Sequence, residues 1–243
     1  VGRTGVLTPY AMLDAVEVGG VTVKQATLHN FNFIRDRDIR IGDRILLKRA
    51  GDVIPYVVAS IPESRDGSQQ PYQPPSHCPS CGESVEIIPG EVAIYCVNSR
   101  CPAQLVRNVE HFASKSAMDI DGLGIKIVEQ LCGNELIQDV ADLYTLTKMH
   151  LMTLPGFAEK KADNLLAAID TSKSKPLARL INALGVHGVG EVNAVALANR
   201  FGSIDALMEA SVHDLTAIDG IGLVMAEAIA DWFANERNQS TIA

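Results

Sequence analysis

Four cysteines, Cys78, Cys81, Cys96 and Cys101, stand as a C-x2-C pair followed by a C-x4-C pair. Four thiolates fill the tetrahedral shell of Zn²⁺ and leave no open position for catalysis, so the chemistry they offer is a structural metal site. Cys78-Pro79-Ser80-Cys81-Gly82 suits a metal knuckle. Proline stiffens the turn, and glycine permits the φ that aims backbone N–H groups at sulfur. Disulfides or free thiols compete with this reading, but no secretion signal is present to favour disulfides. His77 and His111 offer nitrogen as substitute ligands and read better as polar surface, while Cys132 reads as a core thiol.

A second pattern offers backbone rather than side-chain chemistry. An apolar residue, a spacer, a glycine, an apolar residue and a small residue recur four times, each time ahead of a helical stretch: IDGLG from Ile120, LPGFA from Leu154, VHGVG from Val186 and IDGIG from Ile218. Gly122, Gly156, Gly188 and Gly220 are equivalent, as are Gly124, Ala158, Gly190 and Gly222. A glycine turn that opens a helix points unpaired N–H groups and the positive end of the helix dipole outward, which suits phosphate. One such turn is weak evidence, but four at near-constant spacing form a repeat. This is the helix-hairpin-helix signature, and it predicts a grip on a nucleic-acid backbone. Leu123, Phe157, Val189 and Ile221, between the small residues, read either as core or as tips facing a minor groove. Ala158 departs from the pattern, which makes the second turn the more structural one. Lys126 and Lys160 read equally as phosphate contacts or as a solvated helix face.

Charge limits how such a grip works. The chain carries a formal net charge of -8. Residues 1–60 hold eight Lys/Arg against six Asp/Glu, and the remainder hold 13 against 23. An acidic domain can hold phosphates through backbone N–H groups, and that positions the protein without reading sequence. At 47% hydrophobic and 21% charged the composition is ordinary for a globular protein. No apolar run approaches a membrane span, and the expected location is the cytoplasm. Val1 in place of an initiator methionine reads as a piece of something longer.

The elements that must position these groups are legible in outline. Val21–Leu28 partly alternates polar and apolar residues, and Asp43–Gly51 and Val53–Ile61 follow across the turn Gly51-Asp52. Several short strands with Gly19-Gly20 and Gly42 turns predict a small barrel of the OB type over 1–61, with an SH3-like barrel fitting nearly as well. Residues 62–75, rich in Pro, Ser and Gln, read as a linker. The zinc finger spans 76–103. An all-α region spans 104–238, with a polar break at 171–176 that divides the turns into two pairs. The fold class is multidomain α+β. Arg3, Lys48 and Arg49 are candidate binding cations in the barrel, with surface salt bridges as the alternative. His29 and Asn30, in ATLHN, read either as polar loop residues or as ligand contacts.

VGRTGVLTP, ATLHN and RAGDVIP, then the four-cysteine pattern, then four hairpins, resemble bacterial NAD⁺-dependent DNA ligase over essentially the whole chain and in that family's order. The resemblance implies an OB fold, a zinc finger and a helix-hairpin-helix domain that wrap nicked duplex DNA. It implies that Arg3, Thr4, Arg49, Val53 and Ile54 contact DNA around the nick, together with the turns Gly122-Leu123-Gly124, Gly156-Phe157, Gly188-Val189-Gly190 and Gly220-Ile221-Gly222. It also implies a monomer of the bacterial cytoplasm, nucleoid-associated during function, that binds structural Zn²⁺, with NAD⁺ and Mg²⁺ bound mainly outside this stretch.

The family's nucleophile is the lysine of a K-x-D-G motif, and none of the nine lysines stands in that context. Lys161-Ala-Asp-Asn comes nearest but lacks the glycine. No catalytic residue is therefore expected here, and the adenylation domain is expected elsewhere in the protein. The alternative is a non-catalytic zinc and hairpin DNA-binding module of a recombination or repair protein. That reading leaves VGRTG and RAGDVIP unexplained.

Overall fold

The computed structural model describes residues 1–50, 54–88, 91–98 and 100–242, with only the backbone described at 49, 50 and 54. The chain divides into two compact units, Val1–Gln104 and Leu105–Ala243.

The first unit holds β1 (Val6–Leu7), β2 (Tyr10–Val18), β3 (Val21–Thr27), α1 (Phe31–Asp36), β4 (Arg40–Ile41), β5 (Ile45–Ala50), β6 (Ile54–Ser60), β7 (Gln70–Pro71), β8 (Val85–Ile87) and β9 (Ile94–Cys96). β2 and β3 form a hairpin that pairs Val18 with Val21 around Gly19 and Gly20. Both glycines have positive φ, the geometry of the two-residue turn that matches strand twist. A curled, OB-like sheet runs in the order β2-β3-β6-β5, with β3 and β6 parallel across the connection that carries α1. Val23, Ala26 and Val57 are buried along it, and Ala26 and Val57 belong to one apolar core. Asn30 caps α1 by accepting from the Phe33 backbone N–H at 2.8 Å.

Two pairings join segments that the sequence keeps apart. β1 pairs with β9, so the residues after VGRTG belong to the sheet that carries Cys96. β4 pairs with β7, which lies inside the 62–75 stretch. That stretch holds more than its composition announced. Arg65 binds Asp43 at 2.7 Å and Asp38 at 2.7 Å, and the Tyr72 ring stacks on Phe31. The Asp43 side chain is fully buried, and the Arg65 guanidinium holds its carboxyl below the usual carboxylate range. A single core unites Leu7, Phe31, Ile34 and Val57 with Cys78, Cys96 and Cys101. The metal knuckle is thus part of the barrel's core.

The second unit is helical. Its elements are α2 (Pro102–Ala113), which begins in the first unit, then α3 (Ile125–Gly133), α4 (Lys148–Met152), α5 (Glu159–Ser172), α6 (Leu177–Leu184), α7 (Glu191–Phe201), α8 (Ile204–Met208), α9 (Val212–Thr216), α10 (Leu223–Ala234) and α11 (Glu236–Ile242). Two apolar cores form. One gathers Val109, Val128, Leu131, Leu143, Leu151 and Leu165, and the other gathers Ile181, Leu197, Leu207, Leu215 and Ile229. α6 serves both, giving Leu180 and Ala183 to the first and Leu177 and Ile181 to the second. Just before α6, the polar break at 171–176 is anchored at Lys175, which pairs with Asp119 at 2.9 Å. Asn182, buried on α6, donates to the Ser116 carbonyl and accepts from His111 at its own carbonyl. Polar bonds therefore join the two halves of this unit as well as the shared helix.

Candidate zinc centre and nucleic-acid interface

The four sulfurs of Cys78, Cys81, Cys96 and Cys101 all lie within 4.8 Å of one another. Cys78 and Cys101 are 3.8 Å apart, and Cys81 and Cys96 are 3.6 Å apart. A disulfide would need about 2.05 Å. Four sulfurs about 2.3 Å from a central ion stand roughly 3.8 Å from each other, so the spacing fits a tetrahedral metal. The knuckle is shaped locally by Gly82, at φ +76°, whose N–H donates to the Cys78 carbonyl. Burial pushes the Cys96 thiol up to about 12, whereas backbone hydrogen bonding at Glu83 draws Cys81 down to about 7. A dication offsets the burial of several thiolates and drives off their protons. His77 bonds Ser76 and His111 bonds the Asn182 carbonyl, and neither belongs to the cluster. Cys132 is half-buried on α3, and burial raises it to about 11, so it stays a protonated packing thiol.

The Arg3-Thr4 pair rides on this knuckle. Gly2 and Val6 close the turn around it, and Gly5 has φ +83°. A Cβ on Gly5 would sit 2.3 Å from the Cys96 carbonyl oxygen, while the Gly5 carbonyl accepts from the Cys96 N–H. Only glycine fits, and the fit ties Arg3 and Thr4 to a metal ligand's backbone. Arg3 is half-buried, which lowers its pKa, and Thr4 is exposed. Arg49 and Ile54 lie on the paired strands β5 and β6, where Arg49 faces Pro55 and Ile54 faces Ala50. Val53 lies outside the described residues.

The four glycine turns share one geometry. In each, the apolar residue after the first glycine donates its N–H three residues back: Leu123 to Ile120, Phe157 to Leu154, Val189 to Val186 and Ile221 to Ile218. The first glycines have φ of +81°, +76°, +79° and +87°. That is the left-handed third position of a type II turn. The second small residue is different. Gly124, Ala158, Gly190 and Gly222 are helix N-caps in extended conformation, with φ of -78°, -117°, -100° and -80°. Alanine adopts this conformation freely, so Ala158 is no departure in shape and the second turn matches the others.

The apolar residues between are settled by burial. Leu123, Val189 and Ile221 are in the cores, and Phe157 is half-buried against one. The Leu123, Val189 and Ile221 side chains therefore pack inward, Phe157 stays partly exposed, and what the turns share on their outer side is backbone. All eight small residues are exposed. Capping separates these helices from α1, α4, α8 and α9, whereas α6, which starts after Pro176, also lacks a side-chain cap. Asn30, Thr147, Ser203 and Ser211 cap α1, α4, α8 and α9 with side-chain oxygens. Among the described residues no side chain caps α3, α5, α7 or α10, the helices that follow the turns.

Lys126 and Lys160 are exposed as the second residues of α3 and α5. Lys161, weighed in the sequence only against K-x-D-G, is closer to its turn. Its ammonium donates to the Gly156 carbonyl at 3.3 Å and lies 4.2 Å from the Phe157 ring centroid. Asn193, at the equivalent position, donates to the Gly188 carbonyl. The clue was positional, since both stand five residues after the first glycine.

Comparison with known proteins agrees with this anatomy. Residues 1–69 match the NAD-dependent DNA ligase OB-fold domain, which decides against an SH3-like barrel, and residues 77–103 match the NAD-dependent DNA ligase C4 zinc finger domain. Residues 114–171 match a SAM-like helix-hairpin-helix tandem, and 179–242 match the helix-hairpin-helix motif. The chain is similar to proteins named DNA ligase from Roseiflexus sp. (strain RS-1), at 51% identity, and Chloroflexus aggregans, at 52%. A third, from Rubrobacter xylanophilus, is 46% identical. Each match covers 100% of this chain and 34%, 36% and 35% of the relative. The chain thus spans about a third of the length of the curated relatives it matches. Among the described residues no helix is long and apolar enough to cross a membrane. Two ligase-specific domains in order, one of them a four-cysteine finger whose sulfurs are gathered for structural zinc, place the chain in the NAD-dependent DNA ligase family.

Proposed function

We propose that this chain is the duplex-holding part of an NAD⁺-dependent DNA ligase that seals single-strand breaks during replication and repair. One observation carries the reading. The four helices that follow glycine turns begin without a side-chain cap at exposed small residues, whereas α1, α4, α8 and α9 are capped by their own chain. Uncapped N-termini suit phosphate oxygens, because the N–H groups and the dipole both favour negative charge. The turns at Gly122-Gly124, Gly156-Ala158, Gly188-Gly190 and Gly220-Gly222 then grip the backbone of nicked duplex DNA. Arg3, Thr4, Arg49, Val53 and Ile54 add contacts from the barrel. Zinc holds the core on which Arg3 and Thr4 sit. NAD⁺ and Mg²⁺ act in the adenylation step, on a domain that supplies the K-x-D-G lysine.

Titration of a labelled nicked duplex, in two sequences and at two salt concentrations, tests this. The expected result is equal affinity for both sequences and weaker binding at high salt, through counterion release at the supporting cations. Strong preference for one sequence, or no binding at low salt, contradicts it.

A further inference from the structure

The ATLHN segment is not explained by the turns or the zinc. Its outer residues have structural tasks: Thr27 Oγ1 accepts from the His29 N–H at 3.1 Å, and Asn30 caps α1. The Asn30 N–H also donates to the Leu28 carbonyl at 2.7 Å. Together they hold His29 at φ +59°, a left-handed conformation uncommon outside glycine. Such a conformation persists only where its surroundings impose it. The side chain it presents is exposed, so packing does not account for it.

The imidazole stands over an aromatic floor. Its centroid is 4.9 Å from Phe33, edge-on, and 5.9 Å from Tyr56. Arg37 lies 4.7 Å from the Phe33 centroid and is pinned by a 2.7 Å bond to the Val58 carbonyl. Lys48, exposed on β5, is the cross-strand partner of Tyr56 on β6. Directly paired residues share a face of a sheet. Among the described residues no carboxylate lies within ion-pair distance of Arg37 or Lys48; the nearby Asp36 pairs with Arg35, and Asp38 with Arg40 and Arg65. The cluster is thus donors around ring faces, a combination that matches the alternating anionic and apolar groups of a sugar-phosphate strand.

We propose that His29 is a DNA-backbone contact of the barrel, donating to a phosphate oxygen from the aromatic floor of Phe33 and Tyr56, with Arg37 and Lys48 beside it. The inference rests on the duplex-holding reading. The imidazole is the contact, and Thr27 and Asn30 are positioning residues.

The test uses this chain with His29→Asn and His29→Gly. Both remove the ring and both tolerate the left-handed backbone. Each variant is melted and then titrated against the labelled nicked duplex in two sequences. The expected result is melting at or above the parent's temperature and affinity about tenfold weaker in both sequences, the size of one hydrogen bond to a charged group. Parental affinity in both variants overturns the inference and leaves the duplex-holding reading intact. So does a loss that merely tracks lowered melting, which marks a structural histidine, or a loss confined to one sequence, which marks a base contact. If the parent itself binds no duplex, the duplex-holding reading fails and this inference falls with it.

Discussion

Alanine substitutions should separate the two glycines of each turn. The first set, Gly122, Gly156, Gly188 and Gly220, has φ between +76° and +87°. An L-residue held there costs roughly 1–2 kcal/mol. Space adds nothing at Gly122 and Gly156, where a Cβ meets no atom within 4 Å, and little at Gly188, where the Met225 side chain is 3.4 Å away. The second set, Gly124, Gly190 and Gly222, is extended and also has open space. There the gain of about 0.4–1 kcal/mol from a stiffer unfolded chain roughly offsets the poorer capping of alanine, a few tenths to 1 kcal/mol. Differential scanning calorimetry should therefore show Gly122→Ala lowering the melting temperature of the helical unit by about 3–7 °C, and Gly124→Ala leaving it nearly unchanged. Duplex affinity should fall with Gly122→Ala and survive Gly124→Ala, since Ala158 already occupies that place in the second turn. Leucine at Gly124 should leave melting nearly intact yet block the approach of phosphate. Equal melting for Gly122→Ala and Gly124→Ala would refute the reasoning about backbone conformation.

Other consequences follow from single contacts. Arg65→Ala leaves the Asp43 carboxylate without its guanidinium, and chemical denaturation should show the first unit unfolding at lower denaturant; an unchanged midpoint would contradict the pairing. Because Asp43 is held below its ordinary pKa of about 4, its share of stability is present above that value and is lost as pH falls toward the folded value. Acid melts of the parent should therefore weaken below about pH 4, and Asp43→Asn should flatten that slope. Metal analysis should find one zinc per chain. Chelation should unfold the whole first unit, because Cys78, Cys96 and Cys101 share its core, and survival of the barrel's melting transition in chelator would oppose this. Incubation with labelled NAD⁺ and Mg²⁺ should leave this chain unlabelled, as no lysine stands in K-x-D-G. A labelled lysine phosphoramidate would overturn that.

Local spacing made the zinc ligands and the turns legible. Cys78, Cys81, Cys96 and Cys101 follow metal-knuckle intervals, and the glycine turns repeat at a near-constant period. What escaped depended on long-range pairing or on dihedral angles. The β1–β9 and β4–β7 pairings join segments far apart in sequence, so the core shared by barrel and knuckle could not be read, nor the anchoring of 62–75 by Arg65. Ala158 read as a departure because letters record side chains, whereas the position requires only an extended N-cap that alanine supplies. Leu123, Val189 and Ile221 were ambiguous because a core residue and a groove-facing tip are both apolar; burial decides for the core. β2 was missed because Tyr10 and Met12 are exposed along it, which blurs the alternation expected of a half-buried strand.

Exposed backbone at the helix starts after the four glycine turns is proposed to hold DNA. Backbone amide chemical shifts, followed while a nicked duplex is titrated into the chain, test it most directly. The account predicts that the largest shifts fall at residues 124–126, 158–160, 190–192 and 222–224, with α4, α8 and α9, capped by Thr147, Ser203 and Ser211, left undisturbed. Saturating duplex with unmoved amides at all four turns would contradict it.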